Sequence, residues 1–166
     1  YNMPFYDGDK PNPEIYNTNI TDFEKYFLDE KKKIEQAGLY VGQTHSPYHV
    51  YNKDRELFDC RIEEIKYSII ATAVMGCEYT VVHPAQPCWF DPDKDPQFTR
   101  SVNKYLFEKL IPVAKEYGVK LALENMPGAG VPTASPQCLI EYIDMMKSDS
   151  MVACLDTGHA NLAGEN

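Results

Sequence analysis

Residues 151–159 read Met-Val-Ala-Cys-Leu-Asp-Thr-Gly-His, a short apolar run that gives way to an acid, a glycine and a histidine. Such a stretch fits a buried strand whose tip carries chemistry. The pattern recurs upstream. Val119–Leu123 ends at Glu124-Asn125, Tyr79-Thr80-Val81-Val82 ends at His83-Pro84, and Leu39–Thr44 ends at His45-Ser46-Pro47. Helical periods lie between these runs. Leu139, Ile143 and Met146 follow an N-capping Ser135 with Pro136 at the first helical position. Phe98, Val102, Leu106, Leu110 and Ala114 recur at intervals of four before Gly118. Leu57, Ile62, Ile65, Ile69 and Ala73 predict a helix over 53–75 that stops at Gly76. Phe23, Phe27 and Ile34 predict another over 21–37, opened by a Thr21–Glu24 capping box and closed by Gly38.

The polar tips at 45, 83, 124 and 156 lie 38, 41 and 32 residues apart, which suits helix-plus-strand units and is too irregular for a solenoid. Parallel strands need helix-length connections, so the class is α/β. An open doubly wound sheet gathers its chemistry at one switch point, usually on a glycine-rich phosphate loop. Neither G-x-G-x-x-G nor G-x-x-x-x-G-K-S/T occurs here. Instead every tip carries an ionisable or metal-competent residue, the distribution of a (β/α)8 TIM-barrel mouth. The expectation is a partial barrel of about four βα units over 20–166, preceded by an irregular arm or loop over 1–19.

The 166 residues carry a net charge of −9 with 43% hydrophobic content, enough for one core without metal or disulfide staples. The acidic excess opposes a nucleic-acid backbone, which is normally met by a clustered basic surface. Lys31-Lys32-Lys33 reads as the solvated face of a helix. Apolar runs such as Ser68–Cys77 fall far short of the roughly 20 residues that a membrane span needs. Cys60, Cys77, Cys88, Cys138 and Cys154 are odd in number and contain no C-x-x-C pair, which argues against a disulfide framework and a thiolate zinc site. A reducing, cytoplasmic setting is expected, and no charged-then-apolar signal segment opens the chain.

His45, His83 and His159 fall at or just past strand ends and, with Glu124 and Asp156, make a nitrogen and oxygen donor set without sulfur. Such a set suits zinc, manganese, cobalt or iron better than calcium. Blander readings exist for each. His45 and His83 precede prolines and can simply bond backbone carbonyls, and His49 fits a helix or loop surface. Glu124 ends a strand that must be buried, where an unpaired carboxylate is costly. Asp156 and His159 are spaced so that one turn aims both at a single ion. Trp89-Phe90, Tyr40, Tyr48, Tyr79, Tyr105, Tyr117 and Tyr142 read as core or rim packing, and Glu63-Glu64 as a solvated helix face. Asn125-Met126-Pro127-Gly128 is a turn in which Gly128, with Gly130, lets backbone approach a ligand.

Thr44-His45-Ser46-Pro47-Tyr48, Val82-His83-Pro84, Leu123-Glu124-Asn125-Met126-Pro127-Gly128 and Cys154-Leu155-Asp156-Thr157-Gly158-His159-Ala160-Asn161 resemble the strand-end motifs of the xylose isomerase-like barrel superfamily. The resemblance covers about 39–166. It implies that Glu124 and Asp156 are metal ligands, that His159 binds metal or touches substrate, and that His45 and His83 are pocket residues or further zinc ligands. Asn125 joins His45 and His83 as an expected substrate-binding residue. Counterparts of the superfamily's first strand, of its later histidine ligand and of its eighth-strand glutamate are not found. The implied activity is a divalent-metal-dependent (Mn, Mg, Co or Zn) sugar or sugar-phosphate isomerase or epimerase, with Glu124 and His159 catalytic. The alternatives are a zinc-dependent phosphodiesterase of the apurinic-endonuclease type, an inositol-ketone dehydratase, and a non-catalytic half-barrel binding module. A small sugar is the expected partner, with no nucleic acid and no membrane. The open edges of a half-barrel predict a homo-oligomer or a completing segment.

Overall fold

A computed structural model describes residues 6–7, 10–11, 19–48, 50–87, 96–128 and 131–164. Two short strands, β1 (Tyr6–Asp7) and β2 (Lys10–Pro11), pair antiparallel within the expected N-terminal arm. The remaining elements alternate: α1 (Ile20–Gln36), β3 (Thr44–His45), α2 (Arg55–Val74), β4 (Tyr79–Val82), α3 (Pro96–Tyr117), β5 (Lys120–Glu124), α4 (Pro136–Met146), β6 (Met151–Cys154) and α5 (Thr157–Ala163). His49 and Trp89-Phe90 lie outside the described residues.

Strands β3 to β6 form one parallel sheet in the order β3-β4-β5-β6. Sequential order with a helix in every connection is the barrel arrangement, because a doubly wound sheet reverses its order at a switch point. All four strand ends therefore emerge on one side. Residues alternate between the two sheet faces. Val82, Leu121, Leu123 and Met151 join α2, α3 and α4 in the main core around Ile62, Ile65, Ile69, Leu106, Phe107 and Leu110. Alternation then sends His45, His83, Ala122 and Glu124 to the opposite, inner face.

Several boundaries differ from the sequence-based expectation, each for a physical reason. Asn19, not Thr21, caps α1, its side chain accepting from the Asp22 amide at 3.1 Å. Residues 39–43 do not extend β3. Its ladder begins at Thr44↔Thr80 and β4 itself starts at Tyr79, so the residues before Gln43 have no β4 residue to pair with. On α2 the buried stripe includes Phe58 rather than its neighbour Leu57, which is 52% exposed. Phe58 lies four residues before Ile62, on the face that Ile65 and Ile69 continue, and Asp54 caps the helix through the amides of Glu56 and Leu57. Leu57 was expected in the core, and one residue of phase displaces it.

Between the sheet and α2 runs a buried seam of hydroxyls. Thr44 bonds Thr72 at 2.7 Å, and Ser46 meets Thr80 at 3.2 Å and Ser68 at 3.0 Å. Satisfied hydroxyls of this kind cost little, and each would be expensive if orphaned.

The phase of α2 gives a direct test. Phe58→Ala should destabilise the fold by about 3–5 kcal/mol, whereas Leu57→Ala should cost under about 1 kcal/mol, both read from urea unfolding midpoints.

Candidate metal centre

The inner-face tips converge on one carboxylate. Glu124, 6% exposed, sits at the end of β5. Its Oε2 lies 3.3 Å from His45 Nε2 and 2.9 Å from His83 Nε2, and its Oε1 lies 3.5 Å from His159 Nδ1. Two sets of donors result, His45–His83–Glu124 and Glu124–Asp156–His159, each with its ligand atoms within 4.8 Å of one another. They share Glu124. Sequence reasoning anticipated the members, and the structure brings all five together.

The donors are held by their surroundings. His45 Nδ1 lies 2.7 Å from the Ser46 carbonyl, which only accepts, so Nδ1 carries a proton. In the neutral ring the bare lone pair of Nε2 then points at an anionic oxygen, a repulsive contact unless a cation, either a proton or a metal ion, lies between them. Imidazole nitrogens and carboxylate oxygens gathered in this way are donors that a divalent metal would fit. Cys154 pairs in register with Glu124 but is not among the donors that gather within 4.8 Å of one another, so the set stays nitrogen and oxygen.

Asp156 and His159 differ from their expected turn. Asp156 is the N-cap of α5, its Oδ1 accepting from the His159 amide at 2.7 Å, so their spacing is that of a cap to its third helical residue. Oδ2 remains for an ion. His159 Nδ1 donates to the Asn125 carbonyl at 2.9 Å, which leaves Nε2 as the free lone pair of a neutral ring. Asn125, expected at the substrate, is fully buried, and its carboxamide bonds the Asp156 backbone.

Two residues escaped sequence reasoning. Tyr48, read as packing, is 53% exposed with its ring 5.2 Å from His45 and 5.6 Å from His83, so it borders the mouth. Its place after His45-Ser46-Pro47 was the available signal. Asn103 on α3 holds the loop after His83 by bonding both the amide and the carbonyl of Ala85 at 2.7 and 2.9 Å, and nothing local in the sequence marks it.

Burial works to raise the Glu124 carboxyl, but hydrogen bonds and charge from His45 and His83 outweigh it and hold the group well below the usual carboxylate range. Burial likewise opposes the charged form of His45, and the Glu124 carboxylate with the Ser46 carbonyl pushes its pKa up. In metal-free protein the depressed carboxylate contributes fully above about pH 4.3, and its contribution is lost as pH falls through the folded value. The raised imidazole contributes fully below about pH 6.5 and loses its contribution as pH rises through its folded value, so stability should peak between those limits. Urea midpoints in chelator should show this maximum, and His45→Ala should remove its alkaline limb. For the ion itself, Glu124→Gln should abolish binding at both donor sets, while His45→Ala should spare the set with Asp156. Calorimetric titration with Mn2+ and Zn2+ reads both outcomes.

The chain is similar to several known proteins. The chain is 31% identical over 160 residues to a probable endonuclease 4 of Mycoplasmopsis pulmonis, covering 90% of this chain and 54% of that protein. Among solved structures, a D-tagatose 3-epimerase-like protein matches with a TM-score of 0.67 and 24% identity over 84% of this chain and 52% of that one. The IolI protein with a bound zinc atom matches with a TM-score of 0.68 and 19% identity over 95% of this chain and 53% of that one. The chain thus spans about half the length of these relatives. A family model described as the xylose isomerase-like TIM barrel matches residues 5–166, and the chain belongs to that family.

Proposed function

We propose that the protein is a divalent-metal-dependent isomerase or epimerase of a sugar or sugar phosphate. The observation that carries this reading is the convergence of His45, His83, Asp156 and His159 on the buried Glu124 at the strand mouth of a barrel in this family. A divalent ion at this centre supplies Lewis-acid stabilisation of charge developing on substrate oxygens. Glu124 and Asp156 hold the ion, since both Glu124 oxygens face nitrogen donors and Asp156 keeps Oδ2 free. His159 offers Nε2 to take or return a proton beside the substrate carbonyl, its Nδ1–H steadied by the Asn125 carbonyl. His45, His83 and the Tyr48 ring form the wall that a small sugar meets.

A second reading is favoured by one specific observation. The His45–His83–Glu124 set gathers three donors apart from Asp156 and His159, so these residues would fit a second ion, and two ions would supply the charge used in metal-assisted phosphodiester hydrolysis. The relative named a probable endonuclease 4 supports it, and the charge of −9 opposes it.

One experiment separates the two. Full-length protein with Mn2+ should interconvert a ketose or ketose phosphate with its isomer or epimer and incorporate deuterium from D2O next to the carbonyl. Failure across a ketose panel, together with nicking of DNA at abasic sites and two or more tightly held zinc ions, would replace the first reading with the second.

A further inference from the structure

Backbone pairing between β5 and β6 ends at Glu124↔Cys154. The residues that carry chemistry on β6, Asp156 and His159, lie beyond that last rung. What holds them opposite Glu124 is Asn125. Its Nδ2 donates to the Asp156 carbonyl at 3.0 Å and its Oδ1 accepts from the Asp156 amide at 2.7 Å. The carboxamide thus bonds both backbone groups of one residue, and the main-chain carbonyl of Asn125 takes the Nδ1–H of His159 at 2.9 Å. The side chain has no exposed surface and no access to a substrate in the mouth.

We propose that Asn125 is a positioning residue: it extends the β5–β6 ladder by one side-chain rung, which places Asp156 for the ion and fixes the His159 tautomer with Nε2 free. This reassigns Asn125 from the substrate to the frame behind the ligands, and it rests on the metal reading above. Only a carboxamide meets the demand, because the rung needs a donor and an acceptor at one planar group. Aspartate supplies two acceptors and sets a negative oxygen against the Asp156 carbonyl. Leucine of similar size leaves both backbone groups unpaired. The effect on Asp156 reaches His159 through the cap, since the His159 amide is bonded to Asp156 Oδ1.

The test compares Asn125→Ala and Asn125→Asp with Ile69→Val, a core change on α2 that takes no part in the Asn125–Asp156 bonds, in the full-length protein. Each is titrated with Mn2+ by calorimetry, and amide hydrogen exchange is followed separately without ion. Groups that orient metal ligands typically cost 10- to 100-fold in affinity when removed, and both Asn125 variants should lose roughly that much. They should also speed exchange at the His159 amide. Ile69→Val should lower the unfolding midpoint and change neither. Wild-type affinity in the Asn125 variants, or an equal loss in Ile69→Val, overturns the proposal. Should the unmodified protein bind no Mn2+, the metal reading fails, and exchange decides the proposal alone: an unchanged His159 amide in Asn125→Ala overturns it.

Discussion

A carboxylate buried at the end of a central parallel strand cannot stand alone, and the inner face of this sheet is organised around that constraint. Removing Glu124 from water costs several kcal/mol unless cationic or hydrogen-bonding partners restore it. The parallel register supplies them. With Val82 of β4 paired to Leu123 of β5, the residues that follow them, His83 and Glu124, emerge at neighbouring positions. His83 follows Val82 directly and reaches Glu124, while His45 reaches the same oxygen from β3. The fold thus fixes the site through register, before any ligand is present.

Register alone does not hold the tips, because the main-chain ladder stops where the chemistry starts. Side chains take over at each tip. Asn103 grips Ala85 beyond β4, Asn125 grips Asp156 beyond β5 and β6, and the hydroxyl seam of Ser46, Ser68 and Thr80 holds the residue whose carbonyl orients His45. Asn103, Asn125, Ser46, Ser68 and Thr80 are buried and paired, so their bonds are strong in a low-dielectric setting and costly to break. The polar atoms of the sheet ends serve less to stabilise the core than to keep five donors in place.

Much of this was legible in the sequence because the strand tips interrupt apolar runs with residues that have no reason to be there. Glu124 after Leu121-Ala122-Leu123 is the clearest instance, since its burial follows from the run. Gly38, Gly76 and Gly118 marked helix ends correctly, each adopting positive φ. What failed was phase and partner. Leu57 and Phe58 are equally apolar neighbours, and only Phe58 keeps the four-three-four spacing with Ile62, Ile65 and Ile69 that turns a residue inward. Thr21 and Glu24 matched a capping box, while Asn19 had the backbone geometry to cap. The Asp156–His159 spacing suggested two ligands and proved also to be a helix cap. The clasps of Asn103 and Asn125 join residues 18 and 31 positions apart, a separation that no local pattern encodes.

The two functional readings use the same five residues, so composition cannot separate them; the cation between His45 Nε2 and Glu124 Oε2 can. With Nδ1 committed to the Ser46 carbonyl, Nε2 is either protonated or metal-bound when it faces the carboxylate. A proton there makes the β3–β4 side of the mouth cationic, leaves a single ion with Glu124 and Asp156, and suits the anionic group of a sugar phosphate. A metal held there by His45, His83 and Glu124, beside one held by Glu124, Asp156 and His159, would supply the paired charge that a phosphodiester needs. The acidic chain weights the balance toward the first, because a net charge of −9 repels a polyanion. The Ser46 carbonyl, by fixing where the His45 proton sits, thereby turns a question of substrate into one of which cation fills a 3.3 Å gap.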